Sequence, residues 1–298
     1  MARAVLLSGG TCGAKLARGL QAVCGEDLTV IANTGDDIEI HGGHVSPDPD
    51  LITFWLAGRI DGRGWGLDGD TFHVMDGLRE LGDDVWFNLG DRDLALCLRR
   101  ARRLAEGARL TEVLDEHRRA LGVAARILPM SDEPVRTRVK ARGAWHQLQA
   151  FLIRERGAGP VEGVAYHGAG AARPVPEALE AIAAAEAIVV GPSNPAISIG
   201  PILAVPGLRA ALRAARAPVV AVSPLVAGEV LKGPTAAFLA HARRPATSDG
   251  IAALYAGLAD VLVADAPATS VRTVVRDVAM PDDAARTALA RAALEAAG

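Results

Sequence analysis

The sequence predicts an α/β protein with a Rossmann-like, doubly wound and mostly parallel sheet that carries a largely helical insertion. Two patterns indicate this class: short apolar runs alternate with Gly-containing loops and Ala-rich helical segments, and this alternation pauses in the middle of the chain. With 298 residues, half of them hydrophobic, the chain is long enough to bury a large core without disulfide bonds.

The first elements form a βαβ unit. An apolar strand over residues 4–7 is followed by the loop SGGTCG, a helix over residues 14–23 with Leu16 and Leu20 on one face, and a second strand over residues 28–32. A unit of about thirty residues in this order is a usual opening of a doubly wound sheet.

Residues 51–154 are predicted to form a mainly helical insertion that covers the active-site cleft, while residues 1–50 and 155–298 form the Rossmann-like core. Within the insertion, helical patterns occupy residues 91–107 and 110–121, and residues 134–140 resemble a strand. The α/β alternation then returns, with predicted strands at 161–166, 187–190, 219–222 and 261–263 and predicted helices at 176–185, 207–215, 235–242, 248–257 and 281–297.

Composition excludes several classes of protein. A net charge of −3 argues against electrostatic binding of nucleic acid. Three scattered cysteines with no CxxC spacing indicate a reducing compartment, and because no run of eighteen apolar residues lacks charge, we expect no membrane span and a cytoplasmic protein. A basic cluster is interpreted as the solvated face of a helix, with a phosphate-binding patch as the alternative; it comprises Arg99, Arg100, Arg102 and Arg103.

Four aspartates follow the second predicted strand: Asp36, Asp37, Asp48 and Asp50. Two unit charges about 4 Å apart repel by roughly 4 kcal/mol at an effective dielectric near 20, so a fold that holds such acids together usually does so for a divalent cation. Oxygen ligands without cysteine favour Mg²⁺ or Ca²⁺ over Zn²⁺. The alternative is that they are solvated acids of a turn-rich loop.

Two Gly-containing loops are candidates for nucleotide binding. In the first, Gly9, Gly10, Thr11 and Gly13 precede a helix, where backbone N–H groups and the helix dipole favour a phosphate. The loop lacks the GK[ST] of a P-loop, and the second strand ends without the acid that binds the ribose of NAD, so a nucleoside diphosphate fits better than NAD. A tight turn without a ligand is the alternative.

The second loop, GPSNP at residues 191–195, follows a buried strand, and Ser193 and Asn194 suit a phosphate or a base edge.

A third loop and an aromatic residue complete the candidates. The segment NLGDRD at residues 88–93 holds Asn88, Asp91 and Arg92 before a long helix. Asp91 is also suited to be the N-cap of that helix, whereas Arg92 offers a planar bidentate donor for an anionic substrate. Trp65, in a Gly-rich stretch, is suited to form a wall for an aromatic ligand.

Taken together, these segments resemble the 2-phospho-L-lactate transferase family of coenzyme F-420 biosynthesis. The resemblance rests on SGGTCGAKLARGL, VIANTGDDIEIHG, VSPDPD, GWGLDGDTFHV, LGDRDLA, ILPMSDEPV and GPSNPAISIGPILAVPG, which occur in this order over nearly the whole chain. It implies a Mg²⁺-dependent reaction in which a guanosine diphosphate ester of a three-carbon acid gives its distal phosphoryl group, still carrying the acid, to the ribityl hydroxyl of deazariboflavin Fo, and GMP leaves.

The resemblance also implies roles for the candidate residues. Asp36, Asp37 and Arg92 would be catalytic, and Asp36, Asp37 and Asp48 would bind the metal. The nucleotide would contact Gly9, Gly10, Thr11, Gly13, Ser193 and Asn194, and Fo would contact Asp50, Asn88, Trp65 and Asp91. A homodimer is expected from the frequency of such assemblies. The sequence departs from the family pattern at Cys12, Glu39 and Gln147, where Gly, an aromatic residue and His are usual.

Two rival functions stay open. A non-enzymatic, nucleotide-sugar-binding regulator of the same superfamily would share the Gly loop and the acidic loop, but the SPDPD, LGDRD and GPSNP strings favour the transferase. An NAD-dependent dehydrogenase is disfavoured because the ribose-binding acid is missing.

Overall fold

The computed structural model describes residues 2–230 and 233–298. Its strands are β1 (Ala4–Ser8), β2 (Leu28–Ala32), β3 (Ile38–Ile40), β4 (Gly43–Val45), β5 (Arg126–Pro129), β6 (Arg136–Ala141), β7 (Ala144–Gln147), β8 (Val161–His167), β9 (Ala187–Val190), β10 (Val219–Val222), β11 (Leu225–Val226), β12 (Glu229–Val230), β13 (Val261–Ala264) and β14 (Arg272–Val275). Its α-helices are α1 (Gly10–Cys24), α2 (Pro47–Leu56), α3 (His73–Glu80), α4 (Asp91–Ala105), α5 (Leu110–Ala120), α6 (Leu148–Ile153), α7 (Pro176–Ala184), α8 (Gly200–Ala204), α9 (Leu208–Ala214), α10 (Thr235–His241), α11 (Ser248–Leu254) and α12 (Asp283–Ala296).

A seven-stranded sheet forms the centre of the molecule, in the order β14-β13-β10-β9-β1-β2-β5, and its neighbouring strands are parallel. Strands β1, β2, β9, β10 and β13 are buried along their whole length, which explains why they are continuous apolar runs rather than alternating ones. The predicted α/β fold class is confirmed.

Helices cover both faces of this sheet. On one face α1, α2 and α12 pack against residues such as Leu6, Val30 and Val263. On the other face α7, α8, α9 and α11 pack against Val5, Leu7 and neighbouring strand residues. The chain leaves β1 toward β2 on one side, and β9 later joins β1 on the other side. The carboxyl ends of β1 and β9 therefore border a topological switch point, where open α/β sheets bind ligands.

Two predicted features of the fold require correction. The strand predicted at 161–166 exists as β8, but it belongs to a separate antiparallel sheet of order β7-β6-β8 rather than to the central sheet. Residues 51–154 do hold α3, α4 and α5, yet they also supply β5, which pairs with β2 as the edge strand of the central sheet. The segment 51–154 therefore contributes one strand to the central sheet as well as the helices outside it.

The first helix begins earlier than predicted, because α1 starts at Gly10 rather than at residue 14. Most of the predicted glycine loop is therefore the first turn of a helix that leaves β1 directly. Gly10 has φ +65°, a conformation that residues with a Cβ rarely adopt, and it makes the sharp change of direction possible.

Among the described residues, no single helix is long and apolar enough to cross a membrane. One bent pair, Pro195–Ala204 with Leu208–Ala214 at 86°, meets the length and composition limits together.

Candidate active site

Glycines at the carboxyl ends of β1 and β9 allow polar side chains to pack closely against the start of α1. The Gly9 N–H donates to Ser193 Oγ at 3.2 Å, which links the ends of the two strands. A Cβ added to Gly13 would lie 2.4 Å from Ser8 Oγ and 2.5 Å from Ser193 Oγ, so any larger residue would push α1 away from both strands. Ser8 Oγ is buried and has no hydrogen-bond partner among the described residues.

The N-terminus of α1 is occupied by a carboxylate of the chain itself. The Gly10 N–H donates to Asp48 Oδ1 at 2.6 Å, and a Cβ on Gly9 would lie 2.4 Å from Asp48 Oδ2. Gly9 is therefore required by this close approach rather than by its extended backbone. Asp48 lies in the first turn of α2, so the starts of two helices meet at this carboxylate.

Asn33, directly after β2, forms hydrogen bonds to two of the acidic residues and to the backbone just after the GPSNP loop. Its Nδ2 group donates to Asp48 Oδ2 at 2.8 Å, to Asp36 Oδ1 at 3.4 Å and to the Ile197 carbonyl at 3.3 Å. Its Oδ1 accepts from the Gly35 N–H at 2.8 Å and so fixes the turn that carries the aspartates. Asn33 therefore sets the relative positions of Asp36 and Asp48.

Asp36 and Asp37 border a cleft of about 90 Å³ between this turn and the β6–β7 hairpin. Gln149 Nε2, from α6, donates to Asp36 Oδ2 at 3.2 Å. Asp37 is held by other partners: Ser46 Oγ donates to its Oδ1 at 2.7 Å, and His44 Nε2 lies 3.0 Å from its Oδ2. The two neighbouring acids thus have fixed orientations.

Burial perturbs the pKa values of the acids at this site. Loss of solvent raises the pKa of Asp36 well above its usual value, and the charges of Asp48 and Asp37 raise it further. Burial also raises the pKa of Asp48 to about 6, although hydrogen bonds from Asn33 and Gly10 oppose this shift. Both acids therefore lie where a positive charge supplied from outside the chain would be strongly stabilised.

Asp50, by contrast, is paired inside the protein. Arg100 is fully buried and donates to both carboxylate oxygens of Asp50, with Nη1 at 3.0 Å from Oδ2, and the same Nη1 donates to the His44 carbonyl at 2.8 Å. The interpretation of the basic cluster as a solvated face is wrong for Arg100, since its guanidinium lies in the core beneath α2. Its neighbours Arg99 and Arg103 do lie outward and pair with Glu116 of α5.

Within residues 2–230 and 233–298, one set of three acidic or sulfur side chains has ligand atoms all within 4.8 Å of one another, namely Asp50, Asp93 and Cys97. This set is poorly suited to a metal, because Asp50 is already paired with Arg100 and burial raises the pKa of the Cys97 thiol, which a metal needs as thiolate. The three predicted ligands Asp36, Asp37 and Asp48 share one buried region without converging as closely.

Comparison with known proteins identifies the family. The chain matches the family described as 2-phospho-L-lactate transferase CofD over residues 4–294. It is 38% identical to a phosphoenolpyruvate transferase from Kitasatospora aureofaciens, with 97% of this chain and 98% of that protein aligned. The chain belongs to the CofD family. It is also 39% identical to a 2-phospho-L-lactate transferase from Methanosarcina mazei, over 88% of this chain and 86% of that protein.

A solved structure shares the fold of this CofD-family chain. It is a member of the UPF0052 family from Bacillus halodurans, with a TM-score of 0.63 at 17% identity, covering 99% of this chain and all of that one. At this identity the likeness describes the fold only. Family membership makes the chain a transferase of the CofD type.

The predicted residues of the third loop are held by hydrogen bonds to nearby segments. Asp91 caps α3 rather than its own helix, since it accepts from Thr71 Oγ1 at 2.6 Å, the His73 N–H at 3.1 Å and the Val74 N–H at 3.0 Å. Asp70 in turn caps α4 by accepting from the N–H groups of Arg92 and Asp93. This reciprocal capping fixes the loop against the start of α4.

The other two residues predicted near Fo are Asn88 and Trp65. Asn88 accepts a hydrogen bond from Arg79 at 2.6 Å, and Trp65 is 46% exposed beneath the guanidinium of Arg63, 4.2 Å from the ring centre. Their predicted contacts with Fo stay predictions. Arg92, predicted to be catalytic, is exposed and donates to the Asp68 carbonyl at 3.3 Å.

Asn194 has a structural task in addition to any contact with a ligand. Its Oδ1 accepts from the Ala196 and Ile197 N–H groups and caps the wide helical turn Pro195–Ile199, while its Nδ2 donates to Thr235 Oγ1 at 3.1 Å. Ser193, in contrast, faces α1 through Gly9. Of the two residues, Ser193 is the one that borders the strand junction.

Sequence reasoning missed three residues that organise this CofD-type site: Asn33, Arg100 and Gln149. Asn33 stands directly after the second strand, where an NAD-binding protein has an acid, and this position at the end of a buried strand is a usable signal. Gln149 lies 113 positions from Asp36, and no local pattern links them. Arg100 was hidden among neighbouring arginines, and only its place on the inner face of α4 distinguishes it.

Proposed function

We propose that this chain transfers a phospho-three-carbon-acid moiety (phospholactyl, phosphoenolpyruvyl or phosphoglyceryl) from its guanosine diphosphate ester to the ribityl hydroxyl of deazariboflavin Fo. In this reaction the hydroxyl oxygen bonds to the distal phosphorus, the bond from that phosphorus to the bridging oxygen breaks, GMP leaves with that oxygen, and the proton of the hydroxyl passes to a carboxylate of the site or to water. The reaction would serve coenzyme F-420 biosynthesis and depend on Mg²⁺, in a cytoplasmic homodimer.

The observation that carries this proposal is the pair of buried carboxylates, Asp36 and Asp48, at the switch point beside the N-terminus of α1. Phosphoryl transfer needs positioning and neutralisation of charge more than covalent chemistry. Relatives named phosphoenolpyruvate transferase and 2-phospho-L-lactate transferase lie at nearly equal identity, 38% and 39%, so similarity leaves the donor acid open.

The donor set fits Mg²⁺. Asp36, Asp37 and Asp48 offer only oxygen atoms, and burial raises the pKa of Asp36 and of Asp48, so a cation bound beside them would stabilise their charged forms. When bound, Mg²⁺ would neutralise the charge of the diphosphate. The hydrogen bonds from Asn33, Ser46 and Gln149 fix the three carboxylates before any ligand arrives.

Other residues of the chain would hold the two substrates. The first turn of α1, with Gly9, Gly10, Thr11 and Gly13, favours negative charge at the edge of the sheet, and Ser193 borders the same junction. We assign Asn194 to the guanosine side and Asp50, Asn88, Trp65 and Asp91 to the Fo side. The side chain of Arg92 makes one hydrogen bond within the described residues, which leaves guanidinium donors available for an anionic substrate.

The test of the proposed reaction supplies Fo and Mg²⁺ with each of the three guanylylated donors in parallel. GMP release and product mass are followed together. Turnover with one donor would establish the transferase and name its acid. If Fo and GDP bind but none of the donors reacts, this set of donors is wrong, and if neither binds, the regulator becomes the better hypothesis.

Asp36→Asn tests the metal site. We expect Mg²⁺-dependent turnover to be lost while the fold is kept, because burial already favours the uncharged form of this side chain. Asp83→Asn is the matched control, since Asp83 is exposed and distant in sequence from the acidic turn. Circular dichroism and urea unfolding report the fold of both variants. Wild-type turnover by Asp36→Asn would remove Asp36 from the site.

A further inference from the structure

One arginine on the rim of the acidic cleft has a guanidinium that no described residue binds. Along β6, Arg136, Arg138 and Lys140 project from one face, while the residues between them are buried on the other. Arg136 is paired with Glu39 at 2.6 Å. Arg138 is half-buried, lines the cleft together with Asp36 and Asp37, and its side chain makes no hydrogen bond or ion pair with any described residue.

A primary amide stands beside this guanidinium. Gln147 of β7 is directly opposite Arg138 in the antiparallel register, so both side chains leave the hairpin on the same face. Gln147 also lines the cleft, and its amide has no hydrogen-bond partner within the part of the chain that the structure describes. The rim thus offers several N–H donors that nothing in the described protein uses.

The opposite wall of the cleft has the reverse charge. Asp36 and Asp37 are buried there, and the exposed acid of the rim, Glu39, is already held by Arg136. An anionic group that enters the cleft would be attracted to Arg138, on the wall opposite the aspartates. At about 90 Å³ the cleft is well below the roughly 300 Å³ at which pockets hold drug-sized ligands, so it suits a group of a few heavy atoms.

We propose that Arg138, assisted by the amide of Gln147, binds the carboxylate of the three-carbon acid carried by the donor and thereby selects donors that bear this carboxylate. The proposal rests on the proposed function. A planar guanidinium donates two parallel hydrogen bonds to a carboxylate, and an adjacent amide N–H adds a third donor. This arrangement places the carboxylate of the donor on the Arg138 side of the cleft, across from the acids that would hold the diphosphate end.

The test removes first the guanidinium of the protein and then the carboxylate of the donor. Wild type, Arg138→Gln and the control Lys140→Gln are assayed with the phospholactyl donor and with the matching guanosine diphosphate ester of ethanol, which lacks only the carboxylate. Lys140 projects from the same face of β6 but does not line the cleft. We expect Arg138→Gln to lower kcat/KM for the phospholactyl donor about 10- to 100-fold.

The proposal further requires that the losses in kcat/KM from removing the Arg138 guanidinium and from removing the donor carboxylate not be additive. The ethyl donor should react with wild type as poorly as the phospholactyl donor reacts with Arg138→Gln, and Arg138→Gln should lose little more with the ethyl donor. Lys140→Gln should behave as wild type, and Gln147→Ala should show the same pattern with a smaller loss. An equal fold-loss on both donors in Arg138→Gln would overturn the assignment.

A failure of the proposed function gives a different result. If wild type transfers neither donor, calorimetry with Mg²⁺ measures the affinity for the two esters. Tighter binding of the phospholactyl ester by wild type, lost in Arg138→Gln, would support the carboxylate site although the transfer reaction is wrong. Equal affinities for both esters would refute the site.

Discussion

Asp93→Asn is expected to stabilise the protein, and to do so more at high pH than at low pH. Asp93 lies in the first turn of α4, next to the buried pair of Asp50 and Arg100. Burial, and then the charge of Asp50, raise the pKa of Asp93 from 3.8 to about 7, while Arg100 opposes the shift. In this environment the uncharged carboxyl is the favoured form, and an asparagine reproduces its shape without its charge.

The sign follows from proton linkage. In the unfolded chain the carboxyl ionises near 3.8, whereas in the folded protein it ionises near about 7, so folding takes up a proton between these values. The contribution to stability is complete below the unfolded pKa and is lost as the pH rises through the folded pKa. At about 1.36 kcal/mol for each pKa unit, the two units from pH 5 to the folded pKa mean that the wild type loses at most about 2.7 kcal/mol between pH 5 and pH 8 through this one group.

The assay is equilibrium urea unfolding of both proteins at pH 5, 6, 7 and 8, with the exposed Asp83→Asn as the control. The difference in the free energy of unfolding between Asp93→Asn and wild type should grow with pH and level off above pH 7. Titrating groups distant from Asp93 are common to both proteins and cancel in this difference. A difference that is the same at pH 5 and pH 8 would refute the reasoning.

Two further predictions concern packing and a buried charge pair. Gly13→Ala should lower the free energy of unfolding by about 1–3 kcal/mol, because its methyl group would lie 2.4 Å from Ser8 Oγ. The control Gly77→Ala, in α3 with no atom within 4 Å of the added methyl group, should be neutral or stabilising by up to about 1 kcal/mol. Equal effects of the two substitutions in thermal unfolding would contradict the packing argument. Arg100→Met should lower the free energy of unfolding by about 3–5 kcal/mol, because it leaves Asp50 buried and unpaired. In urea unfolding, the double variant with Asp50→Leu should recover much of that loss. A double variant as unstable as Arg100→Met would show that the pair is not the cause.

The central sheet could be predicted wherever a strand is buried on both faces. Strands β1, β2, β9, β10 and β13 are continuous apolar runs, and they were predicted within one residue at each end. The edge strand β14, with the sequence RTVV and partial exposure, has no such run and was missed. Strand β8 was predicted, but its place in the antiparallel sheet was not. The pattern of apolar residues indicates which side chains are buried, and it does not identify the strand with which β8 pairs.

The candidate site was predictable where its residues are close in sequence. The positions from Asp36 to Asp50 form a single hairpin and helix start, so a local pattern identified four acids that are all buried together. The partners of these acids come from distant elements, as Gln149 of α6 and Arg100 of α4 illustrate. A single sequence holds no signal for such contacts, and the distinction between paired and unpaired acids therefore needed the structure.

That distinction separates two acids that the sequence made appear equivalent. Asp48 and Asp50 both lie in the first turn of α2, two positions apart, and both are buried. Asp50 receives a full counter-charge from Arg100 inside the core, so a ligand is not needed to stabilise it. Among the described residues, Asp48 receives only hydrogen bonds, from Gly10 and Asn33. Burial raises the pKa of both acids, but a guanidinium opposes the shift at Asp50 and none does so at Asp48 within this part of the chain. Residues two positions apart on a helix point in different directions. Asp50 therefore links α2 to α4 through Arg100, whereas Asp48 faces the junction of β1 and β9, where positive charge must come from a ligand.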